Sequence, residues 1–248
     1  MPRFCSHRVV SDAILPPFQG QGNHPTTGHG PEHPRKGKTA DNSRPYNTVM
    51  TESYEIIWHG RGGQGAVTAA TIFAEAAFFE GYKGVSAKPT YFSERRGAPV
   101  SVHTRISRDP IRTFSNILFP DIAVVLDDSL LEMVNVTANL KEGGLLVLNS
   151  TRTPQELGVS GPFTIGVADA FHCSESAGLI AKGNVLISTS ILGPFAATSN
   201  LVSLENLHRA IARKFSGKAR DRNLAALELA YKATRIFRYT PARASVNP

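Results

Sequence analysis

From Tyr54 onward, segments with the two-residue period of a strand alternate with segments of helical spacing. Tyr54 to Trp58 reads as a short strand, followed by a helix from about Ala66 to Phe79. That helix is apolar nearly all round, with Glu75 its only charge before Glu80, so burial on more than one side is expected, with a partner chain as one candidate cover. From Ala98 to Ser107, Val100, Val102, Thr104 and Ile106 alternate with Ser101, His103, Arg105 and Ser107, a half-buried strand. The continuous apolar runs Ile122 to Leu126 and Leu145 to Leu148 suit central parallel strands. Between them, Ser129 to Leu140 supplies a crossover helix stopped by Gly143-Gly144. Phe163 to Val167 is the last strand expected, followed by helical segments near Ser174–Ala181 and Val185–Ala197. Leu204, Leu207, Ile211 and Phe215 mark a helical stripe with Ser203 as N-cap and Gly217 beyond its end. A closing helix, capped by Asp221, carries Leu224, Leu227 and Tyr231 and runs to about Phe237. The pattern predicts an α/β fold: a Rossmann-like open, mostly parallel sheet with helices on both faces.

The first 49 residues follow neither period. They hold seven of the 16 prolines and four of the eight histidines, a composition that cannot bury enough surface to offset ordering entropy. A disordered tail over 1–49 and one domain over 50–240 are expected, with Met50, four residues before the first strand, as the candidate start of the functional chain. An apolar region fit for a signal peptide is broken by Ser11, Asp12 and Pro16, leaving an organelle transit peptide as the weaker alternative. The spacing His24, His29, His33 invites a metal reading, but Gly/Pro-rich composition explains it more simply.

Of the net charge of +7, Arg3, Arg8, Arg35, Lys36, Lys38 and Arg44 against Asp12, Glu32 and Asp41 put +3 in the tail, leaving +4 for the body. Much of that lies in Arg209, Arg213, Lys214, Lys218, Arg220 and Arg222, opposed by Asp221: a solvated helix face, or else a docking surface for an acidic partner or phosphate-bearing ligand. With no recognisable reading motif, no nucleic-acid partner is expected. The longest greasy stretch, Val185 to Ala197, is too short to cross a membrane, so a cytoplasmic protein is expected. Two cysteines, Cys5 and Cys173, cannot supply a C-x-x-C pair, a four-thiolate zinc site or an iron–sulfur cluster within one chain.

The first strand leads into Gly60-Arg61-Gly62-Gly63-Gln64-Gly65 and then a helix. Gly60, Gly62 and Gly65 fit G-x-G-x-x-G, whose glycines permit a tight turn while the helix N-terminus offers free N–H groups to an anion. A nicotinamide site would need an acid about 20 residues on, and Gly81 to Pro89 has none; Glu80 falls before that strand. The alternative, that the glycines merely allow close strand–helix packing, stays open. Gln64 can donate and accept hydrogen bonds and so hold a ligand or a facing loop. A second dense spot, Tyr91-Phe92-Ser93-Glu94-Arg95-Arg96-Gly97, suits ligand or interface contact through the Arg fork, or is a surface ion pair on a loop. His59, His103 and Cys173 read as structural. No G-x-x-x-x-G-K-[ST], G-x-S-x-G, H-E-x-x-H or G-D-G occurs, so the chain carries no catalytic residues of its own, no metal site and no complete reaction centre.

The segment IIWHGRGGQGAVTAATIFAEAA resembles the opening of the gamma subunit, or gamma domain, of the 2-oxoacid:ferredoxin (acceptor) oxidoreductases of the pyruvate/ketoisovalerate type, whose hallmark is G-x-G-G-Q-G. SERRGAPVSVHTRIS, PDIAVVLD, LKEGGLLVLNS, LGPFAATSNLVSLENLHRAI and NLAALELAYKA continue the resemblance in order over about residues 54–235. Two positions depart: Tyr91-Phe92 stands where the family has Tyr-Gly, and Ala98 replaces the second glycine after Arg96.

The resemblance implies a whole enzyme that oxidatively decarboxylates a 2-oxoacid to an acyl-CoA, with thiamine diphosphate and [4Fe-4S] clusters in partner subunits. This chain would serve assembly and part of the coenzyme A site, with alpha, beta and ferredoxin-like delta subunits as partners and ferredoxin or another electron acceptor beyond. Gly60, Gly62, Gly63, Gln64 and Gly65, with Glu94, Arg96 and Gly97, are the implied contact residues. Rival readings are the corresponding subunit of an indolepyruvate or phenylglyoxylate oxidoreductase, and a stand-alone nucleotide-binding protein.

Overall fold

A computed structural model describes residues 52–91, 97–113, 115–181 and 183–238. The expected tail, residues 1–49, lies outside them. In chain order the elements are β1 (Ser53–Arg61), α1 (Ala66–Phe79), β2 (Gly84–Tyr91), β3 (Pro99–Ser107), β4 (Ile122–Val125), α2 (Leu130–Met133), β5 (Leu145–Asn149), β6 (Thr164–Ala168), α3 (Ala170–Ser176), β7 (Ile180–Ala181), β8 (Asn184–Val185), α4 (Leu192–Ser199), α5 (Leu204–Lys214), α6 (Gly217–Ala233) and β9 (Arg235–Phe237). Seven strands form one sheet in the order β2-β3-β1-β4-β5-β6-β9, and β7 and β8 form a separate small ribbon.

The ladders β1–β4, β4–β5 and β5–β6 are parallel, and those of β3 with β1 and β2 and of β9 with β6 are antiparallel. Only β3 and β9 therefore run against the rest, giving a mixed, mostly parallel α/β sheet. β4 and β5 are buried along nearly their whole length, as their unbroken apolar sequence demands of strands covered on both faces.

Alternate strand residues feed different cores. Ile56, Trp58, Val102, Ile106, Ile122 and Val124 point to one face, where α1, α4, α5 and α6 supply Phe73, Phe195, Leu207 and Leu227. Trp58 stacks on Phe195 (5.2 Å between ring centres), Phe73 meets Phe195 edge-on (4.7 Å), and the indole N–H donates to Thr104 Oγ1 (3.1 Å). On the opposite face Ala123, Val125, Leu146, Leu148 and Val167 pack under Leu130, Val136, Leu140 and Phe163. Helices cover both faces, but unequally: that second core contains only the single turn of α2. α1 is buried on two sides as expected, and the second cover is α5 of the same chain.

Several boundaries differ from the sequence reading. The expected helix Ser129–Leu140 is helical only over Leu130–Met133; Leu130 alone of those four residues is buried, and Val134 turns extended (φ −129°, ψ 128°). The β-branched Val134, Val136 and Thr137 disfavour helix there, and Val136 and Leu140 reach the core from turns instead. The segment expected near Ser174–Ala181 begins earlier, at Ala170, because Asp169 caps it through the His172 N–H (2.8 Å), and Ile180–Ala181 is extended. Of Val185–Ala197 only the part from Leu192 is helical. The Ser190 hydroxyl donates back to the Ile187 carbonyl (3.3 Å), a local bond that competes with the helix ladder, and the neighbouring hydroxyls pair across the chain, Thr189 with Asn223 (2.8 Å) and Ser174 with Ser190 (2.7 Å). Ser203 does cap α5, through the Asn206 N–H, but α6 starts at Gly217, with Asp221 inside it. α6 also ends at Ala233, and the residues expected to complete it form the edge strand β9.

Candidate functional site

The chain leaves β1 for α1 on one face and leaves β4 for α2 on the other, so the C-terminal ends of these adjacent parallel strands open a crevice of the kind where α/β sheets bind ligands. The glycine loop lies at this point. Gly60 still belongs to β1, opposite Val100. Gly62 extends the ladder by donating its N–H to the Ala98 carbonyl (2.8 Å) and accepting from the Gly97 N–H (3.2 Å). Gly63 (φ 96°) forms the exposed tip, and the Gln64 N–H closes the turn on the Arg61 carbonyl (3.0 Å).

Gly65 is the N-cap of α1, with φ 96° and ψ 20°. That left-handed conformation favours glycine, and a Cβ there would lie 2.7 Å from the Ser188 Cβ. No side chain caps α1 and its first turn carries no acid, so its leading N–H groups have no capping side chain or first-turn carboxylate of their own.

Gln64 is engaged within the protein. Its Oε1 accepts from the Arg61 N–H (2.7 Å) and its Nε2 donates to Asp127 Oδ2 (2.7 Å). Of the two roles open to it in the sequence, holding a facing loop is the one seen. Arg61 Nε also reaches Asp127 Oδ2 (3.1 Å), its Nη2 the Ser129 hydroxyl (2.7 Å) and its Nη1 the Gly97 carbonyl (3.2 Å). Burial pushes the Asp127 carboxyl up, but the bonds from Ser129 and Gln64 and the Arg61 charge outweigh it and hold it below the usual aspartate value. Arg61, Asp127 and Ser129 were not singled out in the sequence; the available signal was an acid one residue past the continuous apolar run of β4.

Beside the loop runs a crevice of about 410 Å³ lined by Gln64, Asp127, Asp128, Asn149, Ser150 and Asp169, among others. Asp128 accepts from the Ser150 hydroxyl (2.7 Å) and Arg152 (3.1 Å). A helix N-terminus suited to an anion thus adjoins carboxylates and amides suited to hydroxyl or amino groups, a division that fits a phosphate-bearing ligand with a polar organic part. The carboxylates at the ends of β4 and β6 are themselves engaged: Asp127 by Gln64, Arg61 and Ser129, Asp128 by Ser150 and Arg152, and Asp169 by the His172 N–H.

Gly60, Gly62, Gly63, Gln64, Gly65 and Gly97 are therefore brought together; Glu94 and Arg96, with Phe92, lie outside the described residues. The Glu80 carboxylate instead accepts from the Ser203 N–H (2.9 Å) and Asn206 Nδ2 (2.7 Å), tying α1 to the start of α5. His103 Nδ1 accepts from the Ile117 N–H (3.1 Å), and burial pushes the buried Cys173 thiol up, away from a reactive thiolate. Among the described residues no group of three or more His, Cys, Asp or Glu is arranged to hold a metal ion, and no helix is long and apolar enough to cross a membrane.

Residues 55–233 match the family profile of pyruvate ferredoxin/flavodoxin oxidoreductase. The chain is 45% identical over 186 residues to the pyruvate/ketoisovalerate oxidoreductases common subunit gamma of Pyrococcus abyssi, covering 74% of this chain and 98% of that one. It is 42% identical over 180 residues to pyruvate synthase subunit PorC of Methanothermobacter marburgensis, covering 72% and 96%. Pyruvate oxidoreductase subunit PORC of Thermotoga maritima has a similar crystal structure, with TM-score 0.65 and 29% identity over 74% of this chain and 98% of that one. The fold recurs, at 15% identity and TM-score 0.56, within 31% of a longer chain, the 2-oxoglutarate:ferredoxin oxidoreductase of Magnetococcus marinus.

Proposed function

The chain belongs to the pyruvate ferredoxin/flavodoxin oxidoreductase family, and on that premise we propose that it acts as the gamma subunit of a multi-subunit 2-oxoacid:ferredoxin oxidoreductase converting a 2-oxoacid such as pyruvate to its acyl-CoA. The observation that carries this reading is that the similarity spans 98% of a relative that is itself named a common gamma subunit. The two sequence relatives named above are subunits of pyruvate/ketoisovalerate oxidoreductases and of pyruvate synthase, so the indolepyruvate or phenylglyoxylate alternative is not favoured. The proposal includes alpha, beta and ferredoxin-like delta partners, a cytoplasmic assembly, and thiamine diphosphate and [4Fe-4S] clusters held by those partners, which supply the carbanion and electron chemistry.

This chain's own part is to bind and orient. The uncapped N-terminus of α1 and the exposed backbone at Gly63 fit the phosphates of coenzyme A, and Asp128, Asn149 and Ser150 can take hydroxyl and amide groups. Gly60, Gly62 and Gly65 shape that surface, and Gln64 braces it from behind. Glu94, Arg96 and Gly97 complete the proposed contact set, with Gly97 held beside the loop by Gly62 and Arg61.

Anaerobic affinity purification of the chain from its host tests the assembly: a thiamine-diphosphate subunit and a cysteine-rich iron–sulfur protein are expected to co-elute, and a chain that elutes alone and colourless refutes the reading. Gly65→Asp tests the loop. It forces a branched anion into a left-handed position against Ser188, so loss of assembly or of CoA-dependent turnover is expected. Normal complex yield with normal turnover would remove the loop from either role.

A further inference from the structure

Four of the six residues from Gly60 to Gly65 are glycine, and such a segment is conformationally broad unless something outside it holds it. A ligand binding to an unfixed loop must supply the ordering free energy, which lowers affinity. Here one carboxylate does the holding. Asp127 Oδ2 accepts from Gln64 Nε2 (2.7 Å) and Arg61 Nε (3.1 Å), and Oδ1 from the Ser129 N–H (3.1 Å) and the Ser129 hydroxyl. Four donors converge on two oxygens, a demand only an acceptor-only group meets. Both loop residues it touches are then committed: Gln64 Oε1 accepts from the Arg61 N–H, and Arg61 Nη1 donates to the Gly97 carbonyl.

We propose that Asp127 is a positioning residue: it fixes the glycine loop through Gln64 and Arg61, and thereby sets the affinity of that loop for its anionic ligand by holding the loop rather than by pairing with the anion. The functional half of this inference rests on the reading of the loop as part of the coenzyme A site. Its geometry also explains why a carboxylate sits beside a surface meant for phosphate. The paired Arg61 guanidinium balances its charge, and the acid is oriented toward the loop's own donors.

The test uses the assembled enzyme with Asp127→Asn, nearly isosteric but placing an NH₂ against donors. Hydrogen exchange of residues 60–66 without substrate is expected to quicken, and the KM for CoA to rise about tenfold, as for loss of hydrogen bonds to a charged group, with kcat at saturating CoA largely retained. Gln64→Glu, which keeps the acceptor for Arg61 but sets two carboxylates together, should shift both readouts the same way. The double variant Gln64→Glu/Asp127→Asn restores a donor facing an acceptor and should recover part of the loss. Unchanged exchange in both single variants, or a fall in kcat with the KM for CoA unmoved, overturns the proposal. Wild-type exchange separates the two readings. If CoA protects residues 60–66 yet Asp127→Asn leaves the KM alone, the positioning role alone fails; if CoA gives no protection there, the coenzyme A reading fails and the functional half of this inference with it.

Discussion

The two faces of the sheet, built from alternate residues of the same strands, solve different problems. On one, Ile56, Trp58, Val102 and Ile106 lie under four helices and are sealed by the aromatic cluster of Trp58, Phe73 and Phe195. On the other, the β1–β3–β2 half presents Glu55, His59, His103, Arg105 and Lys88, each chosen by the same two-residue alternation. Hydrogen bonds and ion pairs do the holding there: Arg105 Nε to Glu55 (2.7 Å) and His103 to the Ile117 N–H. The first face therefore depends on volume and packing, as does the β4–β5–β6 half of the second, whereas the β1–β3–β2 half of the second depends on protonation and pairing.

Trp58→Ala should produce the largest effect. It empties a fully buried site between two rings and strands the Thr104 hydroxyl, a loss of about 3–5 kcal/mol. Urea unfolding of the full chain reads this, and a loss under about 1 kcal/mol would mean the helix-covered face is not the main core.

The polar face should answer to pH. Burial, with a smaller push from His103, lowers His59 to about 4 from its ordinary 6.5. As pH falls, the unfolded chain takes up this proton first, so stability is constant above about pH 6.5, is lost between about 6.5 and 4, and falls no further from this group below that. The loss reaches up to about 3 kcal/mol. Thermal unfolding of His59→Gln should show a shallower decline over that window; a slope equal to that of the unaltered protein would sink the assignment. His103, lowered by burial and by Arg105 and Lys88, contributes in the same direction and remains in the variant.

Arg105→Gln should be the mildest change, about 1 kcal/mol, since the cross-strand pair lies partly open to water and Gln can still donate. A cost matching that of Trp58→Ala would erase the distinction between the faces.

Much of this architecture was legible in residue order because strand and helix periods are local properties. α1 was expected over the residues it occupies, β3 and β4 were expected to within a residue or two, and Ser203 caps α5 as its sequence implied. What failed had two kinds of cause: the helical spacing of Ser129–Leu140 is outweighed locally by β-branched residues and by a single buried anchor, whereas the hydroxyls before Leu192 find partners far along the chain. β9 escaped notice because Arg235–Phe237 gains its ladder only from β6, some 70 residues away in sequence.

The candidate site divides the same way. The run from Gly60 to Gly65, followed by an apolar helix, announces a strand–turn–helix with an open N-terminus, since those conformational needs belong to neighbouring residues. That Gln64 faces inward, that Asp127 closes on it from 63 residues away, and that Ser188 leaves no room beside Gly65 are matters of strand order and packing. Propensity is encoded residue by residue, and so it set the elements and the character of the loop. Which donors meet which acceptors at the top of the sheet depends on distances between segments remote in sequence, and the tertiary structure alone decides it.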